Sequence, residues 1–118
     1  MLRVVIADDV EDSRWVVRLV LEADGHFEVV AEAGNGIDAI KLVGDELPDA
    51  VVLDLDMPIM DGLEAISEIR KLSPNSKILV FSSFESSMVD RAMDLGADGY
   101  VEKGCDVGTI PEKLLSLL

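Results

Sequence analysis

The segment VVLDLDMPIMDG, residues 51–62, carries three aspartates, Asp54, Asp56 and Asp61, directly after an apolar run. Other apolar runs in the chain also end in charged or reactive side chains. Arg3–Ala7 (RVVIA) leads into Asp8 and Asp9, Lys77–Phe81 (KILVF) into Ser82 and Ser83, and the run ending at Val101 into Glu102 and Lys103. If these runs are strands of one sheet, three acids, a hydroxyl and an amine meet at one rim. Carboxylates held ~4 Å apart repel by several kcal/mol at a moderate effective dielectric. One lysine cannot neutralise Asp8, Asp9 and Asp54, whereas a divalent cation can. A few hard oxygen ligands with room for water suit Mg²⁺. Such an ion recruits a phosphoryl group, whose other oxygens Lys103 and the Ser82 hydroxyl would hold. A carboxylate in line with the phosphorus can then become an aspartyl phosphate. The competing reading is that these acids only cap helices and keep the surface soluble, which Asp-Asp pairs often do. Their joint placement at several strand ends argues against it.

The remaining sequence supplies the elements that would bring these residues together. Strands are expected at Arg3–Ala7, a short apolar run rich in β-branched residues, and at Glu28–Ala33, Ala50–Leu53, Lys77–Phe81 and Asp98–Val101. Helices are expected at Asp12–Asp24, stopped by Gly25, and after the Asn35-Gly36 turn as far as Pro48. Three more are expected at Gly62–Leu72, Ser86–Leu95 and Thr109–Leu118. Helical spacing assigns the inward faces to Val16, Leu19, Val20 and Ala23 in the first helix and to Ala39, Ile40, Val43 and Leu47 in the second. The corresponding residues are Leu63, Ile66 and Ile69 in the third, Met88, Val89, Ala92 and Met93 in the fourth, and Ile110, Leu114, Leu117 and Leu118 in the fifth. Five strands alternating with five helices imply a doubly wound α/β fold: a five-stranded parallel sheet covered on both faces. Right-handed crossovers leave few topologies. The flavodoxin-like order 2-1-3-4-5 is the expected one, with the site beyond the carboxyl ends of the strands.

Composition narrows the classes of function. The 118 residues are 49% hydrophobic and only 4% aromatic, so one domain with an aliphatic core is expected. A net charge of −14 disfavours direct binding of nucleic acid or anionic membrane and favours cations and basic partners. The lone Cys105 excludes an internal disulfide and a cysteine-rich zinc site. No apolar run approaches the ~20 residues of a membrane span, and MLRVVIADD meets its aspartates too early for a signal peptide. A cytoplasmic location is expected.

IADD near the start, VVLDLDMPIMDG, ILVFSS and GADGYVEKG resemble, in order and spacing, the receiver domain of bacterial two-component response regulators. The resemblance covers essentially the whole chain. The stretch EVVAEAGNGIDAI is similar to receivers of LuxR-type transcriptional regulators. The resemblance implies that Asp54 is the phosphoacceptor and that Asp8 and Asp9 are the acidic pair holding Mg²⁺, Asp9 more directly. It also implies the backbone carbonyl of Asp56 as a third protein ligand. Ser82 would be the switch hydroxyl, Tyr100 the switch aromatic and Lys103 the phosphate-binding lysine. The implied partners are a sensor histidine kinase as phosphodonor and a second copy docking through the fourth helix, fifth strand and fifth helix. DNA would be reached only through an output domain, which residues 1–118 do not include, and no membrane contact is implied.

Many receivers carry a cis proline after the lysine. Here Gly104 follows, and a trans Lys103–Gly104 bond is expected, because a cis non-proline bond costs ~2.5–4 kcal/mol. Asp61 belongs to Asp61-Gly62-Leu63-Glu64, a capping-box pattern, and is assigned to structure. His26, the only histidine, falls at a turn away from the rim, so the phosphodonor must be a separate molecule. Trp15 is expected to pack, and Cys105 to be an incidental thiol. Asp56 and Phe84 would flank the path of an attacking water, with Phe84 shielding the phosphoryl group. Two other classes compete. A haloacid-dehalogenase-type phosphatase fits the D-x-D of VVLDLDMP, but it places its metal-binding acid pair after the lysine. A flavodoxin-like electron carrier needs a hydroxyl- and glycine-rich phosphate loop where this chain has DDVEDS.

Overall fold

The computed structural model describes residues 1–83, 86–104 and 107–118, with the backbone alone at Ser86 and Ser87. The strands are β1 (Leu2–Ala7), β2 (Phe27–Ala33), β3 (Ala50–Leu53), β4 (Lys77–Ser82) and β5 (Gly99–Glu102). The helices are α1 (Glu11–Asp24), α2 (Gly36–Glu46), α3 (Gly62–Leu72), α4 (Ser86–Leu95) and α5 (Ile110–Leu117), the last preceded by a 3-10 turn at Val107–Thr109. All strand pairings are parallel, as the alternation of elements predicts, and the order is β2-β1-β3-β4-β5, the one expected.

Strand alternation divides the apolar residues between two cores. Val5, Ala7, Val51, Leu53, Ile78 and Val80 face α2, α3 and α4, meeting Val43, Ile66, Ile69 and Ala92. Val4, Ile6, Val52, Leu79 and Phe81 face α1 and α5, meeting Val17, Leu21, Ile110 and Leu114. All four residues of β3 are buried, as expected for a central parallel strand covered on both faces. Each fully buried Val, Leu or Ile contributes about 1.5–3 kcal/mol relative to exposure.

The helix boundaries agree with their signals. Gly25 ends α1 in the left-handed region at φ +90. Asn35 caps α2 by accepting from the Asp38 N–H, and Asp61 caps α3 by accepting from the Glu64 N–H at 3.0 Å.

The face assigned to α1 is corrected. Val16 and Leu19 are exposed, Ala23 lies at the surface and Trp15 is 59% exposed, so Trp15 does not pack as expected. The sheet-facing stripe is instead Arg14, Val17, Arg18 and Leu21, spaced i, i+3, i+4 and i+7. Two arginines occupy it because their aliphatic stems lie along the protein while their guanidinium groups pair with Glu32 of β2. A count of apolar residues alone is blind to that arrangement. Leu47 is corrected too. It adopts the left-handed conformation at φ 44 as the cap of α2, which turns its side chain into solvent at 60% exposure. At the other helix edges, Met93 and Leu118 are largely exposed while Ala92, Ile110 and Leu114 are buried.

Candidate functional site

The rim forms because backbone pairing continues one residue past the strands. Ala7 is in register with Leu53, and beyond them the Asp54 N–H donates to the Ala7 oxygen at 2.9 Å. On the other side of β1 the Asp8 N–H donates to the Ala33 oxygen at 2.9 Å. Asp8 and Asp54 therefore emerge side by side, both nearly fully buried. At the far side of β4, the Lys103 N–H donates to the Ser82 oxygen at 3.0 Å, which anchors the lysine beside the same strand ends.

The Lys103 ammonium bridges the two acids, 2.7 Å from Asp8 Oδ2 and 2.9 Å from Asp54 Oδ2. It also lies 5.7 Å from the centre of the Phe81 ring, within cation–π range. Asp8 Oδ1 accepts from the Val10 N–H, and Asp54 Oδ1 accepts from the Asp56 N–H at 3.2 Å. Burial pushes the Asp8 carboxyl above its ordinary range, as does the neighbouring Asp54 charge, against the lowering pull of its bonds from Lys103 and Val10. Burial also works against the charge of Lys103, but its bonds to Asp8 and Asp54 prevail and hold its pKa above the ordinary lysine value. Lys103 is thus a charged donor at neutral pH.

Carboxylate oxygens of Asp8, Asp9 and Asp54 all lie within 4.8 Å of one another. Two of the three acids are buried and Asp9 is exposed, so the cluster is held from within and open on one side. This donor set fits a hard divalent ion that retains water. Asp56 follows with an exposed side chain. Ser82 is fully buried, and its hydroxyl has no hydrogen-bond partner among the described residues. An unsatisfied buried hydroxyl costs about 1–3 kcal/mol, so a polar group arriving at the rim would satisfy it. The Tyr100 hydroxyl donates to the Ser82 backbone oxygen at 3.2 Å. A cleft of about 320 Å³ bounded by Ser13, Val16, Phe81, Lys103 and Val107 opens beside the lysine.

The structure thus brings together Asp8, Asp9, Asp54 and Lys103, with Ser82 and Tyr100 at the neighbouring strand ends. Asp61 stays a helix cap, and His26 is exposed and paired with Asp24 at 2.6 Å. No peptide bond among the described residues is cis, so Lys103–Gly104 is trans as expected. Phe84 and Cys105 lie outside the described residues. Two contributors escaped sequence reasoning. Gly62 lets α3 start against the Asp54–Leu55 loop, since a Cβ there would clash with the Asp54 backbone oxygen. Arg14 reaches the site from α1, and a charged residue on a helix next to an acid pair was the available signal.

Residues 4–115 match the response regulator receiver domain model, and the chain belongs to that family. It is 37% identical over 115 residues to the chemotaxis protein CheY of Listeria monocytogenes, covering 97% of this chain and 96% of that protein. It is 38% identical over 102 residues to the Bordetella pertussis protein BvgA, described as a putative positive transcription regulator of virulence factors. That match covers 86% of this chain but only 48% of BvgA. Among solved structures, a two-component response regulator of the LuxR family from Aurantimonas sp. superposes with a TM-score of 0.93 at 31% identity, covering 99% of this chain and 84% of that one. The haloacid-dehalogenase alternative gains no support from these relationships, which account for the acids after β1 and β3 together with Lys103.

Proposed function

We propose that Asp54 accepts a phosphoryl group from the phosphohistidine of a sensor kinase, with Mg²⁺ held by Asp8, Asp9, Asp54 and the Asp56 carbonyl. A change at the α4–β5–α5 face then passes the signal on, to transcription where an output domain is attached. The observation that carries this reading is the Lys103 ammonium bridging Asp8 and Asp54, with a buried Ser82 hydroxyl nearby that has no partner among the described residues.

When bound, Mg²⁺ supplies charge neutralisation between the acids and the incoming phosphoryl oxygens. The Asp54 carboxylate attacks phosphorus in line, the P–N bond to the donor imidazole breaks, and that nitrogen leaves with the bonding pair. Lys103 neutralises a phosphoryl oxygen, and Ser82 turns its hydroxyl toward another. Water later attacks the phosphorus, releasing inorganic phosphate and restoring Asp54. BvgA and the LuxR-family neighbour support a transcriptional output, whereas the CheY relative shows that receivers also occur at nearly this length.

Incubation with acetyl phosphate or phosphoramidate, followed by peptide mass spectrometry, tests the assignment. A single adduct on Asp54 that requires Mg²⁺ is expected. An adduct persisting in Asp54→Ala, or forming fully in chelator, overturns it.

A further inference from the structure

Arg14 touches the acid cluster from behind. Its Nη1 donates to the backbone oxygen of Asp8 at 2.6 Å, and its Nε donates to Glu32 Oε1 at 3.1 Å. The second oxygen of Glu32 is held by Arg18 Nη2 at 2.6 Å. The Asp8 carbonyl belongs to the peptide unit that joins Asp8 to Asp9, so the direction in which the Asp9 side chain leaves the backbone depends on that peptide plane. Asp8 is secured in other ways: its N–H by Ala33, and its carboxylate by Val10 and Lys103. The Asp9 carboxylate is exposed and has no hydrogen-bond partner among the described residues, yet it reaches the Asp8–Asp54 cluster.

We propose that Arg14 is a positioning residue for the metal-binding acids. It locks the Asp8–Asp9 peptide so that Asp9 is delivered beside Asp8 and Asp54, and Glu32 with Arg18 holds Arg14 in that pose. The role rests on the reading of the cluster as a divalent-cation site. It suits arginine because the planar guanidinium serves two acceptors at fixed angles, which the rotatable ammonium of a lysine does not fix. Charge alone predicts the opposite behaviour. A cation near the acids repels Mg²⁺, so a purely electrostatic Arg14 would weaken metal binding and its removal would tighten it. A purely structural Arg14 would change melting temperature and leave the affinity of the folded protein alone.

Calorimetric Mg²⁺ titration of the wild type, Arg14→Gln, Arg14→Lys and Arg18→Gln, with melting curves in chelator, separates these roles. Loss of a group that orients metal ligands commonly lowers affinity 10–100-fold, so Arg14→Gln is expected to bind Mg²⁺ about tenfold more weakly. Arg14→Lys keeps the charge and stem and should lose a smaller factor. Arg18→Gln frees one oxygen of Glu32 without touching Asp8 and should weaken Mg²⁺ binding by a smaller factor than Arg14→Gln does. Unchanged or tighter binding in Arg14→Gln overturns the proposal, as does equal weakening in Arg18→Gln. If Arg14→Gln does not fold, unchanged affinity in Arg14→Lys overturns it as well. A wild type that binds no Mg²⁺ removes the metal reading and this role with it. A wild type that binds Mg²⁺ while the Arg14 variants match it removes only this role.

Discussion

The Tyr100 hydroxyl donates to the backbone oxygen of Ser82 at 3.2 Å, while the Ser82 hydroxyl beside it is fully buried with no partner among the described residues. The two residues lie on adjacent strands, β4 and β5, which pair in register from Leu79 to Ser82. An acceptor oxygen arriving on Asp54 would give the Ser82 hydroxyl its first hydrogen bond. At about 1–3 kcal/mol for a satisfied rather than unsatisfied buried hydroxyl, that bond alone shifts a two-state equilibrium roughly five- to 150-fold. Tyr100, tied to the Ser82 backbone, is placed to sense the change. Ser82→Ala is therefore expected to melt no lower than the wild type and to accept phosphate on Asp54. It should fail to transmit amide chemical-shift changes to α4, β5 and α5. Equal shifts in both proteins would remove Ser82 from the switch.

The bridge from Lys103 to Asp8 and Asp54 predicts a charge-dependent stability. Removing one partner of a buried ion pair typically costs about 3–5 kcal/mol, and Lys103→Met in chelator should lose on that order at neutral pH. The deficit should shrink in acid, because protonating either carboxylate removes the unbalanced charge. Denaturant melts across pH read this directly, and a pH-independent deficit would argue for lost packing instead.

Asp8 carries the opposite sign. Its folded-state pKa is raised, chiefly by burial. The folded protein therefore binds this proton more tightly than the unfolded chain does, and stability falls as pH rises from the unfolded value of about 3.8 through the raised one. In chelator, Asp8→Asn should match the wild type below that window and be the more stable protein above it, while binding Mg²⁺ more weakly. A wild type that gains on the variant as pH rises would contradict this sign.

Gly62 packs without a side chain against the Asp54–Leu55 backbone. Gly62→Ala forces a shift of α3 or of the Asp54–Leu55 loop, and overpacking of this kind costs about 1–3 kcal/mol. Slower phosphorylation from a small-molecule donor should accompany the lower stability. Normal phosphorylation at reduced stability would show that α3 moves and Asp54 does not.

Ile59 sits at φ +68, with the Met60 N–H donating to the Pro58 oxygen at 2.8 Å across it. This is a γ-turn of the strained kind, centred on a β-branched residue that is 77% exposed. Relief of about 1–2 kcal/mol of left-handed strain, offset by roughly 0.5–1 kcal/mol of glycine chain entropy, predicts that Ile59→Gly gains up to about 1.5 kcal/mol. Phosphorylation of Asp54 should be unchanged. A loss of stability would mean that the Ile59 side chain makes favourable contacts that outweigh its backbone.

What the sequence determined by itself was the sheet and the rim. Short β-branched runs ending in Asp8, Asp54, Ser82 and Lys103 are local signals, because a buried parallel strand must be apolar throughout and its carboxyl end is where side chains can turn outward. The caps at Asn35 and Asp61 and the stop at Gly25 are equally local, each set by hydrogen bonds within a few residues. Other features were decided only by tertiary structure. The face of α1 depends on where Glu32 lies, one strand away, and so Arg14 and Arg18 take inward positions that apolar periodicity assigned elsewhere. Arg14 meets the Asp8 carbonyl six residues back because the chain leaves β1 and turns at once into α1. The Ser82 hydroxyl without a partner among the described residues, the bridge from Lys103 across 49 residues to Asp54, and the exposed Trp15 all depend on what the rest of the chain places nearby. Burial and partnership belong to pairs of distant residues, and no single stretch of sequence contains both members.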